Sequence, residues 1–171
     1  MVRTIKIIGV LGFIICLLVM YMTNHGIRGI QNFDRDFRLL DMRFHYSSEI
    51  VKQTIEQISA GGRRAYQRYL ILDFVFILFF LATMITVSDA IPVSLSVKIA
   101  LFIVCGLRAL LDILENILLL RMLGQYPAFN EAMASVCSRI TTFKFIMLYL
   151  WLVFILMHIV ISGVISIRRE P

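Results

Sequence analysis

Long apolar runs alternate with charged stretches along this chain. Four of the runs have the length that crosses a bilayer as a helix, about 20 residues. They are IIGVLGFIICLLVMYM (Ile7–Met22), YLILDFVFILFFLATMITV (Tyr69–Val87), a run from Val97 to Leu120, and FIMLYLWLVFILMHIVISGVISI (Phe145–Ile167). Each is predicted to be helical, because hydrocarbon offers no partner to a free backbone N–H or C=O. TNHGIRG follows the first run, with no small-residue cleavage site, so the run is read as a retained span and not as a signal peptide.

The connections differ in kind. SDAIPVSLS is short, and its Pro92 breaks a helix, so the second and third spans are predicted to be antiparallel neighbours. RMLGQYPAFNEAMASVCSRITT is expected to form one turn and a short amphipathic helix. The connection from Thr23 to Arg68 is long and charged. Within it, SSEIVKQTIEQISAGG places Val51, Ile55 and Ile58 on one helical face, with Ser47 or Ser48 as cap and Gly61–Gly62 as stop. This helix is too short to span and is expected on the membrane surface or over the mouth of the bundle. Upstream, NFDRDFRLLDMRFHY alternates charges with aromatics. It reads either as a solvated, salt-bridged loop or as a lid inserting Phe37, Phe44 or Tyr46. The expected fold is all-α: a polytopic membrane protein, one four-transmembrane-helix bundle over residues 1–171, with loop 23–68 as lid or surface segment.

Composition agrees with that pattern. Of 171 residues 60% are hydrophobic, against roughly 45–50% in soluble domains, and the mean hydropathy is +0.87. The net charge of +6 belongs largely to Arg and Lys beside apolar runs, where they meet headgroups, so nucleic acid is not an expected partner. Arg3 and Lys6 ahead of the first span and the Arg168–Arg169 tail favour cytoplasmic termini, while the Arg and Lys of the first long loop argue the opposite way. We favour termini inside, because the first helix usually dominates. Cys16, Cys105 and Cys137 form no C-x-x-C pair and no cluster of zinc spacing, so neither redox chemistry nor a metal site is expected.

One stretch departs from lipid-facing composition. RALLDILENILLL (108–120) carries Arg108, Asp112, Glu115 and Asn116 on one helical stripe, with leucines on the opposite face. Charges at mid-membrane cost about 2.5–3.5 kcal/mol each on insertion scales, so the stripe is expected to point into the bundle. Asp73, about one turn into the second span, should lie level with Glu115, Asn116 and Asp112, together with Tyr66 and Tyr69. Thr141 and Lys144 at the start of the fourth span can approach, and Arg63, Arg64 and Arg68 meet there from the loop end. The expectation is one polar pocket near one membrane face, roofed by the long loop. Because like charges and desolvation raise carboxylate pKa values, at least one of Asp73, Asp112 and Glu115 is expected to be protonated or to bind a cation. The plain alternative is a polar cluster that holds helices in register.

Other residues carry less. His158 and Trp151 read as packing groups, and His45 as a solvated loop histidine. GGRR lacks the rest of a phosphate loop, although Arg63 and Arg64 are placed to grip a lipid phosphate. No Ser-His-Asp set, zinc motif or cofactor motif is present.

The combination LLDMRFHYSSE, GGRRAYQRYLILDFVF, LLDILENILLL and QYP resembles a group of small, uncharacterised four-span bacterial membrane proteins, over most of residues 39–127. The resemblance implies a bacterial cytoplasmic membrane and brings no activity. The layout is more weakly similar to the EXPERA group of sterol isomerases and sigma-2-type receptors. That likeness implies four or five spans, a long first connection and buried acidic residues for amphipathic amines or sterols. No signature residue of that group carries over to a position here.

The leading expectation is an acidic pocket for a lipid-like or amphipathic, cationic small molecule, needing no cofactor. Asp73 and Glu115 would serve as charge partners or acid–base groups, oriented by Asp112 and Asn116, with Arg108, Arg68 or Lys144 neutralising some of the carboxylates, Arg108, Arg64 and Arg68 among the ligand-binding residues, and Tyr69 at the mouth. The rivals are a proton- or cation-coupled transporter, which would form a homo-oligomer, and a non-catalytic subunit of a membrane-protein complex.

Overall fold

A computed structural model describes residues 2–167, with side chains over 4–162. The Arg3 side chain and the Arg168–Arg169 tail, weighed above for orientation, lie outside the described residues. Among these the chain is all-helical, with no strand. The helices are α1 (Val2–Met22), α2 (Ile27–Gln31), α3 (Ser48–Gln57), α4 (Ala60–Ala90), α5 (Leu95–Gln125) and α6 (Glu131–Ile167), with a 3-10 turn at Leu40–Met42.

Three helical stretches are long and apolar enough to cross a membrane: Thr4–Gln31, which takes in α1 and α2, Ala60–Ala90 and Glu131–Ser162. The apolar runs had suggested four. The difference is α5, which at 31 residues equals α4 in length but carries Arg108, Asp112 and Glu115 through its centre.

The long helices pack in the order α1, α4, α5, α6, while α2 lies against α4 and α3 against α6. Glycines set the α1–α4 approach. A Cβ on Gly12 would stand 2.4 Å from the Phe79 ring, and one on Gly9 would stand 2.9 Å from the Ala82 Cβ. Small residues of this kind let two helix backbones come close where lipid supplies no hydrophobic drive between them. The outward faces remain apolar: Ile5, Ile8, Leu11, Ile15 and Leu18 on α1, and Leu150, Val153, Met157 and Val160 on α6, are exposed. An apolar surface so continuous suits hydrocarbon and not water.

The connection between α1 and α4 is a packed cap. Val51, Ile55 and Ile58 are all buried, as are Ile30, Phe37, Leu39, Leu40 and Tyr46, and they share one core with Tyr66, Leu70, Leu119 and Leu123 of the long helices. Of the three aromatics considered as insertions, Phe37 and Tyr46 are inside and Phe44 is exposed. Ser47 caps α3, accepting the Ile50 N–H at 3.3 Å.

Two boundaries differ from expectation. Gly61 and Gly62 do not end α3. They form the first turn of α4, capped by Ser59, which accepts the Gly62 N–H, because in this first turn the orphan N–H groups find a side-chain acceptor. The segment before the fourth apolar run is not a separate amphipathic helix. It is the continuous beginning of α6, whose inward residues Ala134, Cys137, Ser138, Thr141 and Lys144 repeat at helical spacing.

Candidate functional site

The polar stripe of α5 faces inward along its whole length. Cys105, Arg108, Asp112, Glu115, Asn116 and Leu119 are buried, while Leu107, Leu110 and Leu114 are exposed. At 100° per residue these two sets occupy opposite faces. Asp73 on α4 and Lys144 and Thr141 on α6 are buried with the stripe, and Asp41 is buried in the cap against Tyr66 and Tyr69 of α4.

The contacts join four segments. Asp112 is the hub: Arg108 Nη2 approaches Oδ2 at 2.7 Å and Lys144 Nζ approaches Oδ1 at 2.8 Å. Lys144 also ion-pairs with Glu115 Oε2, outside hydrogen-bond alignment. The other Glu115 oxygen accepts from the Thr141 hydroxyl. The Tyr46 hydroxyl lies 3.0 Å from the Thr141 hydroxyl and donates to Cys137 Sγ at 3.3 Å. Asn116 Nδ2 donates to Asp73 Oδ2 at 2.7 Å. Tyr66 and Tyr69 donate to the two oxygens of Asp41, at 3.3 and 3.4 Å, and the Tyr66 oxygen accepts the Leu40 N–H. The cap is tied down further by the Tyr46 N–H donating to Ser138 Oγ at 3.1 Å and by Thr142 donating to the Phe44 carbonyl at 2.9 Å.

Charge does not balance inside this cluster. Asp41, Asp73, Asp112 and Glu115 are four buried carboxyl groups, and Arg108 and Lys144 are two buried cations. Two negative charges are left over if all ionise, and among the described residues Asp41 and Asp73 are the two of these carboxyls that form no ion pair. Burial pushes the Asp41 carboxyl above the ordinary carboxylate range; Lys144 pulls the other way, and the nearby Asp112 adds to the rise. Burial likewise raises the Tyr46 hydroxyl, so it acts only as a neutral donor and acceptor. Arg108 keeps one contact to Asp112 and lies 4.2 Å over the Phe80 ring. Its Nε and Nη1 are buried without partners among the described residues, as is Asn116 Oδ1.

The cluster is packed, not open. Glu115 and Asn116 are 0% exposed and Asp73 is 5% exposed. Cavities of 410 and 420 Å³ lie in the cap, and neither is lined by Asp73, Asp112 or Glu115.

The expected site residues divide accordingly. Asp73, Arg108, Asp112, Glu115, Asn116 and Tyr69 come together, with Tyr69 buried beneath the cap and not at a mouth. Arg64 and Arg68 do not join them. Both are exposed, on the same helical stripe as Ile71, Val75 and Leu78 and opposite the buried face of α4. Arg63 turns back to the Ile55 and Ile58 carbonyls and stacks on Tyr126. Asp41 was missed, because its loop also carries the unburied Asp34 and Asp36. The signal was its place behind Leu39 and Leu40, the apolar pair of that segment. Cys16, Cys105 and Cys137 are free and buried, and among the described residues no group of His, Cys, Asp and Glu has metal-holding geometry.

Comparison of the chain with protein-family models, with curated proteins and with solved structures finds no match in any of the three.

Proposed function

We propose that the chain is an integral membrane protein of four spans, α1, α4, α5 and α6, whose buried acidic cluster takes up and releases protons beneath a movable cap, as a proton-coupled transporter or a subunit of one. The observation that carries this reading is the surplus of two carboxyl groups buried among packed side chains. A carboxylate buried without a counter-charge costs several kcal/mol, and the proton is the one cation that needs no space. Ionisable groups inside a bundle commonly serve such relays. The inward turn of every charge on the central half of α5 supports its place as the fourth span. Four spans put both termini on one side, the cytoplasmic side by the Arg3 and Lys6 rule.

A chain of side chains leads from the cap into the cluster. The Tyr46 hydroxyl meets that of Thr141, Thr141 bonds Glu115, and Lys144 connects Glu115 to Asp112. Lifting residues 40–46 would break the Tyr46 and Asp41 contacts together.

The test is proton counting on protein reconstituted in liposomes, between mildly alkaline and mildly acidic pH. The Asp41→Asn/Asp73→Asn variant is expected to take up about two fewer protons per chain than wild type. Equal uptake by the two proteins would remove the basis of the reading.

A second reading, an occluded site for an amphipathic amine, is favoured by the partnerless Asn116 Oδ1, an acceptor that an ammonium N–H would satisfy. Native mass spectrometry with lipid extraction separates the two. A discrete amine retained by wild type and lost in Glu115→Gln supports the ligand.

A further inference from the structure

A second chemistry lies in the cap, away from the buried cluster. Its 410 Å³ cavity is lined by Asp34, Asp36, Arg38 and Arg43, with Phe33 and Thr54 beside them. The adjoining 420 Å³ cavity shares Phe37, Arg38 and Arg43 and continues over Tyr21, Ile27 and Met42. Each falls within the roughly 300–1,000 Å³ of ligand sites. One cavity is therefore charged, the next is half apolar, and two arginines stand at their junction.

Charges of both signs share this space without neutralising one another. Among the described residues neither Arg38 nor Arg43 forms an ion pair with Asp34, Asp36 or any other carboxylate. The backbone presents Asp34 in a fixed pose, since its Oδ1 accepts the Asp36 N–H at 3.1 Å. Tyr21 lies in the last turn of α1 and is exposed, as is Met42. The apolar end thus opens where the candidate span meets the cap.

We propose that this double cavity binds a zwitterionic lipid of the phosphoethanolamine class, with the phosphate between Arg38 and Arg43, the primary ammonium towards Asp34 and Asp36, and an acyl chain over Tyr21, Ile27 and Met42. Guanidinium groups match phosphate oxygens in charge and geometry. A primary ammonium has three N–H donors for the two carboxylates. An anionic headgroup such as glycerol phosphate would meet the arginines equally well but leave both aspartates facing its hydroxyls. The site requires the membrane reading, because its apolar arm needs lipid at the end of α1, but it is independent of proton uptake.

The experiment is native mass spectrometry of the full chain in detergent, with phosphatidylethanolamine and phosphatidylglycerol added in equal amounts. Wild type is expected to retain the ethanolamine lipid about tenfold over the glycerol lipid, or about 1.4 kcal/mol. Arg38→Gln/Arg43→Gln should lose both lipids, and Asp34→Asn/Asp36→Asn should hold both equally. Equal retention of the two lipids by wild type, or retention by the arginine variant as in wild type, overturns the proposal. Wild type that binds soluble phosphoethanolamine but retains neither lipid would assign the site to a water-soluble headgroup compound and overturn the lipid assignment. Carbonate extraction of membranes is run alongside. A chain that washes off refutes the membrane reading itself, whereas a retained chain with indifferent variants refutes only this site.

Discussion

Replacing Lys144 by Met tests the central electrostatic argument. Its Nζ stands 2.8 Å from Asp112 Oδ1 and also pairs with Glu115. At an effective dielectric constant of about 20, one such contact is worth about 6 kcal/mol of attraction, which is largely offset by the desolvation of the partners. The intact pair is therefore close to neutral for stability. Deleting one member is not, because the desolvation of the other is then uncompensated, at about 3–5 kcal/mol. The two carboxylates do not suffer equally. Asp112 keeps Arg108 at 2.7 Å, whereas Glu115 keeps only the neutral Thr141 hydroxyl. Adding Glu115→Gln to Lys144→Met should thus recover most of the loss. Thermal unfolding in detergent micelles reads this directly through Trp151, the single tryptophan, whose Nε1 donates to Ser88 Oγ at 2.8 Å. At about 2–4 °C per kcal/mol for a chain of this size, Lys144→Met should lower Tm by about 6–20 °C. If the cluster were merely a set of ordinary interhelical polar contacts, the loss would average about 0.6 kcal/mol and the shift would be a few degrees at most. A small shift, or a double variant no more stable than the single, refutes the argument.

Asp41 gives a pH signature. Its folded carboxyl is held above the unfolded value of 3.8, so its contribution to stability is full below that value and is lost as pH rises through the folded pKa. The stability of wild type relative to Asp41→Asn should accordingly be greatest in acid and decline towards alkaline pH, and a difference flat across pH contradicts the burial argument. Tyr46→Phe removes the hydroxyl 3.0 Å from Thr141, worth about 0.5–1.5 kcal/mol. Amide exchange across residues 40–46 should then quicken by about two- to tenfold, and unchanged exchange would mean the hydroxyl does not hold the cap. Gly9→Leu forces a side chain where even a Cβ meets Ala82, so α1 should separate from α4. Loss of a cysteine cross-link engineered between the two helices is the readout, and an undiminished cross-link would refute close packing there.

Part of this architecture was legible in the chain. The stripe Arg108, Asp112, Glu115 and Asn116 could be placed on one face from its spacing alone, and the short SDAIPVSLS connection was enough to bring Asp73 level with it. The face of α3 defined by Val51, Ile55 and Ile58 was equally readable, because helical periodicity is a local property. Arg64 and Arg68 were misplaced for a related reason. Their distance along the chain from Asp73 was right, but their phase on α4 turns them to the Ile71 and Val75 side, and phase follows only once the helix is known to be continuous from Arg64 through Val75.

Asp41 and the closure of the site belong to another level. In the sequence Asp41 is one acidic residue among several in a polar loop. It is singled out only when Leu39 and Leu40 bury and carry it under Tyr66 and Tyr69. The same holds for the sealing of the cluster by Tyr46 and for the pairing of Lys144 with two carboxylates of another helix. Periodicity and hydropathy determine which faces are apolar and which charges must avoid lipid, since those are energies of single residues in a solvent. Which charges then neutralise one another, and whether space remains between them, are properties of pairs distant in sequence, so only the packed helices and their cap decide them.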